Sequence, residues 1–366
     1  MIRLLLITGL AMVTPVAANQ PIFYDAFKDA EQHVILRVVY VTEDWVAYDE
    51  LSAWDRAVDI KESDHVKYYE VAIWEETESV HLYAFDDAYS PFYANENPGA
   101  TSEEIIAHRE QYRLMRFTDL PPKVELFVSQ ERSDALLEAF NAFADLLVER
   151  HPDARHHLVY NGHGGPGGNL FEVQLLYDDA SEFLAHWTEA LGQRLGVIDM
   201  GGPCNKSGWS DLKNFCQYAD YYIASDLANG GYGFDDWTEE KYNETNPDRQ
   251  YHRIFANPYI DLEQALIERL DITRKAYEYA EQDMITKSLK QANYLYSCQK
   301  TRALQPTLDA FLGPEHSRSN GDLYQVLVDQ GASQTLKDQV LGLIVYGVDN
   351  RDFFEWDSDH YGIIDW

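Results

Sequence analysis

The feature that most constrains the fold is a series of short apolar, β-branched runs separated by segments long enough to form a helix. Four runs predict buried strands: HVILRVVYV (33–41), HHLVYN (156–161), GVIDM (196–200) and YYIASD (221–226). Strands joined through helices form βαβ units, which build a mainly parallel sheet with helices on both faces. The pattern therefore predicts an α/β fold.

Other segments fill in this pattern. Apolar residues at helical spacing predict four helices, over 45–60, from a Ser133 cap to Arg150, over 180–195 and over 210–218. Two further strands are predicted at VKYYEVAIWEE (66–76) and SVHLYAF (79–85), and a third is predicted over 112–117. His156 and His157, at the beginning of their strand, are expected at the surface.

The chain of 366 residues shows no internal repeat, and its Gly/Pro clusters fall at single turns rather than in linkers. After the leader described next, the sequence predicts a single domain over 19–366. Its core covers about 33–245, and a C-terminal helical extension covers about 246–366.

The first residues resemble a secretory signal peptide. Arg3 is followed by an apolar run over 4–13 and by small residues ending at Ala18, after which cleavage is expected. The apolar run is too short to span a bilayer, and no later segment approaches the length of a membrane helix. These residues predict a secreted or periplasmic protein with no membrane span.

The charge balance excludes some partners. The chain has 29 basic and 62 acidic residues, a formal net charge of −33. Phosphates would be repelled by such a protein, which argues against a nucleic acid or an anionic membrane as partner. The simplest interpretation of the charge is solubility, and a field that attracts cationic substrates is the alternative.

Two turns follow consecutive predicted strands. His163 stands among glycines in NGHGGPGG (161–168), and Cys204 follows the next strand in IDMGGPCN (198–205). Working sites in parallel sheets lie beyond the carboxyl ends of strands, and neighbouring strands are about 5 Å apart. If the two strands are neighbours, the imidazole can lower the pKa of the thiol. The glycines would then let the substrate approach the backbone closely and leave N–H groups free to stabilise an oxyanion.

A structural interpretation competes with this one. A glycine-rich turn can carry a surface histidine without function, and a cysteine can be buried as a small apolar residue. The three cysteines, Cys204, Cys216 and Cys298, leave at least one unpaired within the chain. A disulfide at Cys204 would remove the nucleophile, whereas a bond between Cys216 and Cys298 would leave it free.

The stretch from 136 to 237 resembles the clostripain family of cysteine peptidases, in the caspase and legumain clan. The resembling segments, in order, are LLEAFNAFADLLVERHPDARHHLVYNGHGG, VIDMGGPCN, DLKNFCQYADYYIASD and NGGYGFDDW. The resemblance implies a three-layer α/β/α caspase-like sandwich around a mainly parallel sheet. It also implies a peptide or protein substrate and no cofactor, calcium being the one ion that it allows.

By the same resemblance, His163 is the general base and Cys204 the nucleophile, with the N–H groups of Gly164 and Cys204 as oxyanion donors. Asp199 and Asp226 are the candidate substrate-binding carboxylates, for a P1 Arg or Lys. Asp235 and Asp236 could also contribute negative charge, although in so acidic a chain a solvated carboxylate is the simpler interpretation.

Two departures from the family pattern keep an alternative open. The family has one residue between its Asp and its Cys, whereas four residues, 200–203, separate Asp199 from Cys204 here. In addition, family members often cleave themselves after a Lys or Arg in the loop that follows the His turn, and no Lys or Arg lies between His163 and Arg194. The alternative is an inactive relative that binds peptides or proteins outside the cell. The acidic tail after Asp349 lacks the glycine and glutamate positions of a calcium loop, so no metal site is predicted.

Overall fold

The computed structural model describes residues 32–41, 65–75, 77–84, 93–123, 128–164, 167–171, 174–203, 205–225, 251, 254–255, 257, 260–280, 292–313 and 323–349. The strands are β1 His33–Val41, β2 Val66–Trp74, β3 Ser79–Ala84, β4 Arg113–Phe117, β5 Arg155–Asn161, β6 Leu195–Met200, β7 Ala219–Ala224, β8 Ala292–Ser297 and β9 Ile344–Asp349. The helices are α1 Tyr93–Glu96, α2 Ser102–Glu110, α3 Gln130–Arg150, α4 Tyr177–Leu191, α5 Trp209–Phe215, α6 Leu262–Ala280, α7 Cys298–Leu312, α8 Leu323–Asp329 and α9 Gln334–Leu341.

The described strands form one nine-stranded sheet in the order β4-β3-β2-β1-β5-β6-β7-β8-β9. The five central strands, from β2 to β7, pair in parallel, and the two outer strands at each side pair antiparallel. The predicted mainly parallel sheet is confirmed. The helix predicted over 45–60 lies outside the described residues.

The sheet is covered on both faces, as the continuous apolar strands predict. On β1, Val34, Leu36 and Val38 enter one core, whereas Ile35 and Val39 enter the other. Helices α3, α4, α5, α7, α8 and α9 contribute to the first core, and α2 and α6 to the second. The three-layer α/β/α prediction is therefore confirmed.

Helix α3 begins four residues before its predicted start. Ser129 is the N-cap, and its hydroxyl accepts a hydrogen bond from the N–H of Arg132 at 3.2 Å. Ser133, the predicted cap, lies inside the helix, where its hydroxyl is bonded to Asp179 and accepts the N–H of Leu176 at 3.0 Å. The prediction was wrong because both serines satisfy the local capping pattern, and the long-range partner decides between them.

The surface position predicted for His156 and His157 is also wrong, because both are fully buried. β5 lies between β1 and β6, so each of its faces is covered. His156 accepts the indole N–H of Trp187 at 3.1 Å, and its other ring nitrogen lies 2.9 Å from the carbonyl of His151. On the opposite face, His157 Nε2 lies 3.0 Å from His33 Nδ1. Burial lowers the pKa of His33, His156 and His157, to about 4 for His33 and His156.

The region predicted as a helical extension also adds two strands, β8 and β9, to the sheet. A disulfide between Cys216, which ends α5, and Cys298, which begins α7, joins this region to the centre of the fold. Within the described part of the chain, no helix has the length and apolar character needed to cross a membrane.

Candidate active site

The site predicted from the sequence depends on whether β5 and β6 are neighbours. They pair in parallel, with Leu158 opposite Ile198 and Val159 opposite Asp199. His163 follows the carboxyl end of β5, and the segment 201–203 follows the carboxyl end of β6. The condition of adjacent strands is therefore met, and the two turns leave the sheet at the same edge.

His163 is exposed at this edge, and its backbone carbonyl is held by a hydrogen bond. The hydroxyl of the buried Tyr160 donates to the carbonyl of His163 at 2.9 Å. A Cβ at residue 162 would lie 2.5 Å from that hydroxyl oxygen, closer than real Cβ atoms approach. Gly162 is therefore required because the tyrosine occupies the space of a side chain.

The later glycines of the same turn have partners. Asp211 of α5 accepts the N–H of Gly168 at 2.8 Å on Oδ1 and that of Gly167 at 3.3 Å on Oδ2. Gly168 has a φ of +72°, and a Cβ there would lie 2.4 Å from the ring of Tyr177. These two N–H groups are used by the protein, whereas Gly164, the predicted oxyanion donor, is half-buried and lies immediately after His163.

Cys204 lies outside the described residues, and its neighbours in the chain are known. Pro203 is buried, and Asn205 is half-buried with a left-handed φ of +51°. Because Cys216 and Cys298 form a disulfide and the chain has three cysteines, Cys204 has no cysteine partner left within the chain. Of the pairings that the sequence allows, the observed one is the pairing that does not use Cys204.

The segment after Cys204 is anchored by strand β7. The carbonyl of Ser225 accepts the N–H groups of Lys206 and Ser207 at 2.8 and 3.0 Å. The hydroxyl of Tyr222 donates to the carbonyl of Lys206 at 2.6 Å. Lys206 and Ser207 are buried, so this segment is part of the core rather than a surface loop.

Lys206 and Asp211 form an ion pair at 3.1 Å, with side chains 1% and 0% exposed. The lysine ammonium also donates to Asn169, at 2.7 Å to its carbonyl and 3.0 Å to its side-chain oxygen. Burial lowers the pKa of Lys206 and raises that of Asp211, while each charge opposes the shift of the other. The pair joins the turn after His163 to the segment after Cys204.

Asp199, the predicted substrate-binding carboxylate, is buried at the end of β6. Arg269 of α6 donates to both of its oxygens, at 2.7 and 3.2 Å. The hydroxyl of Tyr251 donates to Oδ2 at 2.6 Å, and the N–H of Gly201 to Oδ1 at 2.8 Å. Arg269 donates in addition to Thr273 at 2.6 Å. The carboxylate therefore has its counter-charge inside the protein.

Asp226 lies outside the described residues, two positions after the end of β7, and so do Asp235 and Asp236. Within the ranges that the structure describes, no group of three or more His, Cys, Asp or Glu side chains is placed to hold a metal ion. Of the acidic tail, only Asp349 is described, at the end of β9.

Sequence reasoning missed Lys206, Asp211 and Arg269. Lys206 and Asp211 are close in the sequence, and the only available signal was a lysine two residues after the predicted nucleophile in a chain with few basic residues. Arg269 is 70 residues from Asp199, and the sequence carried no signal for their pairing.

No protein-family model matches the chain, and no curated protein sequence matches it either. The solved structures that match include three with a TM-score of 0.52 over 87% of this chain. One is an inactive zymogen C11 protease from Parabacteroides distasonis, 12% identical over 84% of that chain. The second is a secreted C11 cysteine protease from Bacteroides thetaiotaomicron, 11% identical over 87% of that chain.

The third is a secreted C11 cysteine protease from Bacteroides thetaiotaomicron in complex with an irreversible peptide inhibitor, 9% identical over 84% of that chain. At these identities the likeness establishes the fold. The resemblance predicted from segments 136–237 is thus confirmed at the level of architecture. The chain has the α/β fold of the C11, or clostripain-family, cysteine proteases.

Proposed function

We propose that this protein is an exported cysteine endopeptidase in which Cys204 is the nucleophile and His163 the general base. The observation that carries the proposal is the parallel pairing of β5 with β6, because it brings the two predicted turns to one edge of the sheet. The likeness in fold to C11 cysteine proteases supports the same reaction class.

The chemistry follows from the residue types. His163 takes the proton of the Cys204 thiol, the thiolate adds to the scissile carbonyl, and the N–H groups of Gly164 and Cys204 stabilise the oxyanion. The C–N bond then breaks, and the protonated His163 gives its proton to the leaving amine. Water, deprotonated by His163, attacks the thioester and releases the acid, which restores the free thiol.

The disulfide between Cys216 and Cys298 favours this enzyme over the peptide-binding alternative, because it leaves the thiol of Cys204 available. It also supports export, together with the signal-like residues 1–18, since structural disulfides persist in oxidising compartments. The peptide-inhibitor complex of the third C11 protease supports a peptide substrate for this chain.

Cleavage after Arg or Lys requires a carboxylate whose charge is not already balanced. Asp199 is paired with Arg269, so we assign recognition of a basic P1 side chain to Asp226, which comes two residues after the end of β7 in the sequence. A P1 cation would then form a charge-assisted hydrogen bond with Asp226.

The test is hydrolysis of fluorogenic peptides that differ only at P1, with Arg, Lys, Leu or Ala in that place. We expect Cys204→Ala and His163→Ala to abolish turnover and Asp226→Asn to reduce only the preference for Arg and Lys. His186→Ala is the matched control, because His186 lies on α4, is partly exposed and is bonded to Asp145 at 2.8 Å. Equal turnover by wild type and Cys204→Ala would reject the mechanism.

A further inference from the structure

The buried pair Lys206–Asp211 is not used by the proposed chemistry, although it lies between the two predicted turns. Lys206 is two residues beyond Cys204, and Asn169, its second partner, is six residues beyond His163. Burial of two charges costs free energy unless both are paired and their remaining hydrogen-bonding groups are satisfied.

Here the two charges pair with each other, and residues 167–169 supply the remaining hydrogen-bonding partners. The lysine ammonium has three N–H groups, and its three acceptors are Asp211 and the two oxygens of Asn169. Asp211 in turn accepts the N–H groups of Gly167 and Gly168. Each charge is therefore satisfied only when residues 167–169 lie against the pair.

The other end of this connection is hydrogen-bonded to β7 and buried in the core. Lys206 is held through its N–H by Ser225 and through its carbonyl by Tyr222, both at the carboxyl end of β7. Asp211 is held on α5, where it is fully buried. A displacement of the His163 turn would consequently leave a buried ammonium and a buried carboxylate with missing partners.

We propose that Lys206 and Asp211 are positioning residues that fix the separation between the His163 imidazole and the Cys204 thiol. This inference rests on the proposed function. Neither side chain touches substrate; the pair acts by connecting the turn that follows β5 to the segment that follows β6. Its loss changes the geometry of proton transfer more than it changes peptide binding.

The experiment compares Lys206→Met and Asp211→Asn with Lys213→Met. The control lysine lies on the same helix as Asp211 and pairs with Asp309 of α7 at 3.2 Å in a partly exposed position. Three quantities are measured: amide hydrogen exchange over residues 162–170, kcat and KM for the best peptide, and the pH dependence of Cys204 alkylation by iodoacetamide.

For Lys206→Met we expect faster exchange at residues 167–169, roughly a 10- to 100-fold lower kcat and little change in KM, as a small misplacement of reacting groups produces. The alkylation profile should shift toward that of an isolated thiol. Lys213→Met should match wild type in all three measurements. A purely structural role would lower thermal stability without moving the thiol profile.

The outcomes separate this inference from the function on which it rests. An active wild type together with Lys206→Met of unchanged kcat and thiol profile would overturn the positioning role alone. A wild type that neither hydrolyses peptides nor alkylates selectively at Cys204 would reject the proposed function, and the positioning role with it. If neither variant folds, fast exchange of the Gly167 and Gly168 amides in wild type would overturn the inference, and slow exchange would support it.

Discussion

The disulfide between Cys216 and Cys298 provides the most direct quantitative prediction. The two cysteines are fully buried and 82 residues apart in sequence. A cross-link closing a loop of that length lowers the entropy of the unfolded chain by an amount worth about 4.5 kcal/mol at 25 °C. Reduction should therefore lower the free energy of unfolding by about 4 kcal/mol.

The expected shift in melting temperature follows from chain size. An unfolding entropy of roughly 2.1 cal/mol/K per residue gives about 0.8 kcal/mol/K for this chain, so the loss of about 4 kcal/mol on reduction should lower Tm by about 5 °C. The assay is thermal unfolding with and without a phosphine reductant. Cys204→Ala, which keeps the cross-link, is the control and should respond to reductant as wild type does. An unchanged Tm on reduction, or a disulfide-linked peptide containing Cys204, would refute the reasoning.

Three further predictions concern buried residues of the sheet and of the turn that follows His163. Arg269→Met should destabilise the protein by ~3–5 kcal/mol in urea unfolding, because Asp199 would keep a buried charge without its partner; the double variant with Asp199→Leu should recover most of the loss, and failure to recover would contradict this. His33 and His156 are buried with pKa values of about 4 against an ordinary 6.5, so the unfolded chain binds protons first as pH falls. Stability should be lost between pH 6.5 and about 4, by ~3 kcal/mol for each residue, and a urea midpoint independent of pH over that window would contradict it. Gly168→Ala should cost ~2 kcal/mol or more, because the left-handed φ and the ring of Tyr177 both oppose a Cβ; a variant with wild-type stability in the same assay would refute this.

The parallel centre of the sheet could be predicted from the sequence because its strands are apolar on both faces. Such runs, alternating with helical segments, have few other solutions. The same pattern allowed β5 and β6 to be neighbours but did not require it; their pairing in the structure gives the turn after each strand a common edge. These features depend on local composition and on general rules of connection.

What could not be predicted depends on contacts between distant residues. The burial of His156 and His157 follows from which strands flank β5, and a histidine at the beginning of a strand does not carry that information. Arg269 reaches Asp199 across 70 residues, in a chain with 62 acidic side chains from which a partner could be chosen. The helix start at Ser129 shows the same limit, since Ser133 had an equally good local pattern.

The predicted roles of Cys204, Gly164 and Asp226 stay predictions, and so does export. The three roles depend on chemistry at the edge of the sheet where His163 is exposed and the segment after residue 204 is anchored. Activity at this edge requires a thiol that ionises well below the ordinary range.

The measurement that tests this requirement is the rate of iodoacetamide alkylation against pH, with the labelled residue identified by mass spectrometry. We expect selective labelling of Cys204 with a thiol pKa well below about 8.5 in wild type and in His186→Ala, and a return toward that value in His163→Ala. A profile that is the same in wild type and His163→Ala would contradict the proposed pairing of the imidazole with the thiol.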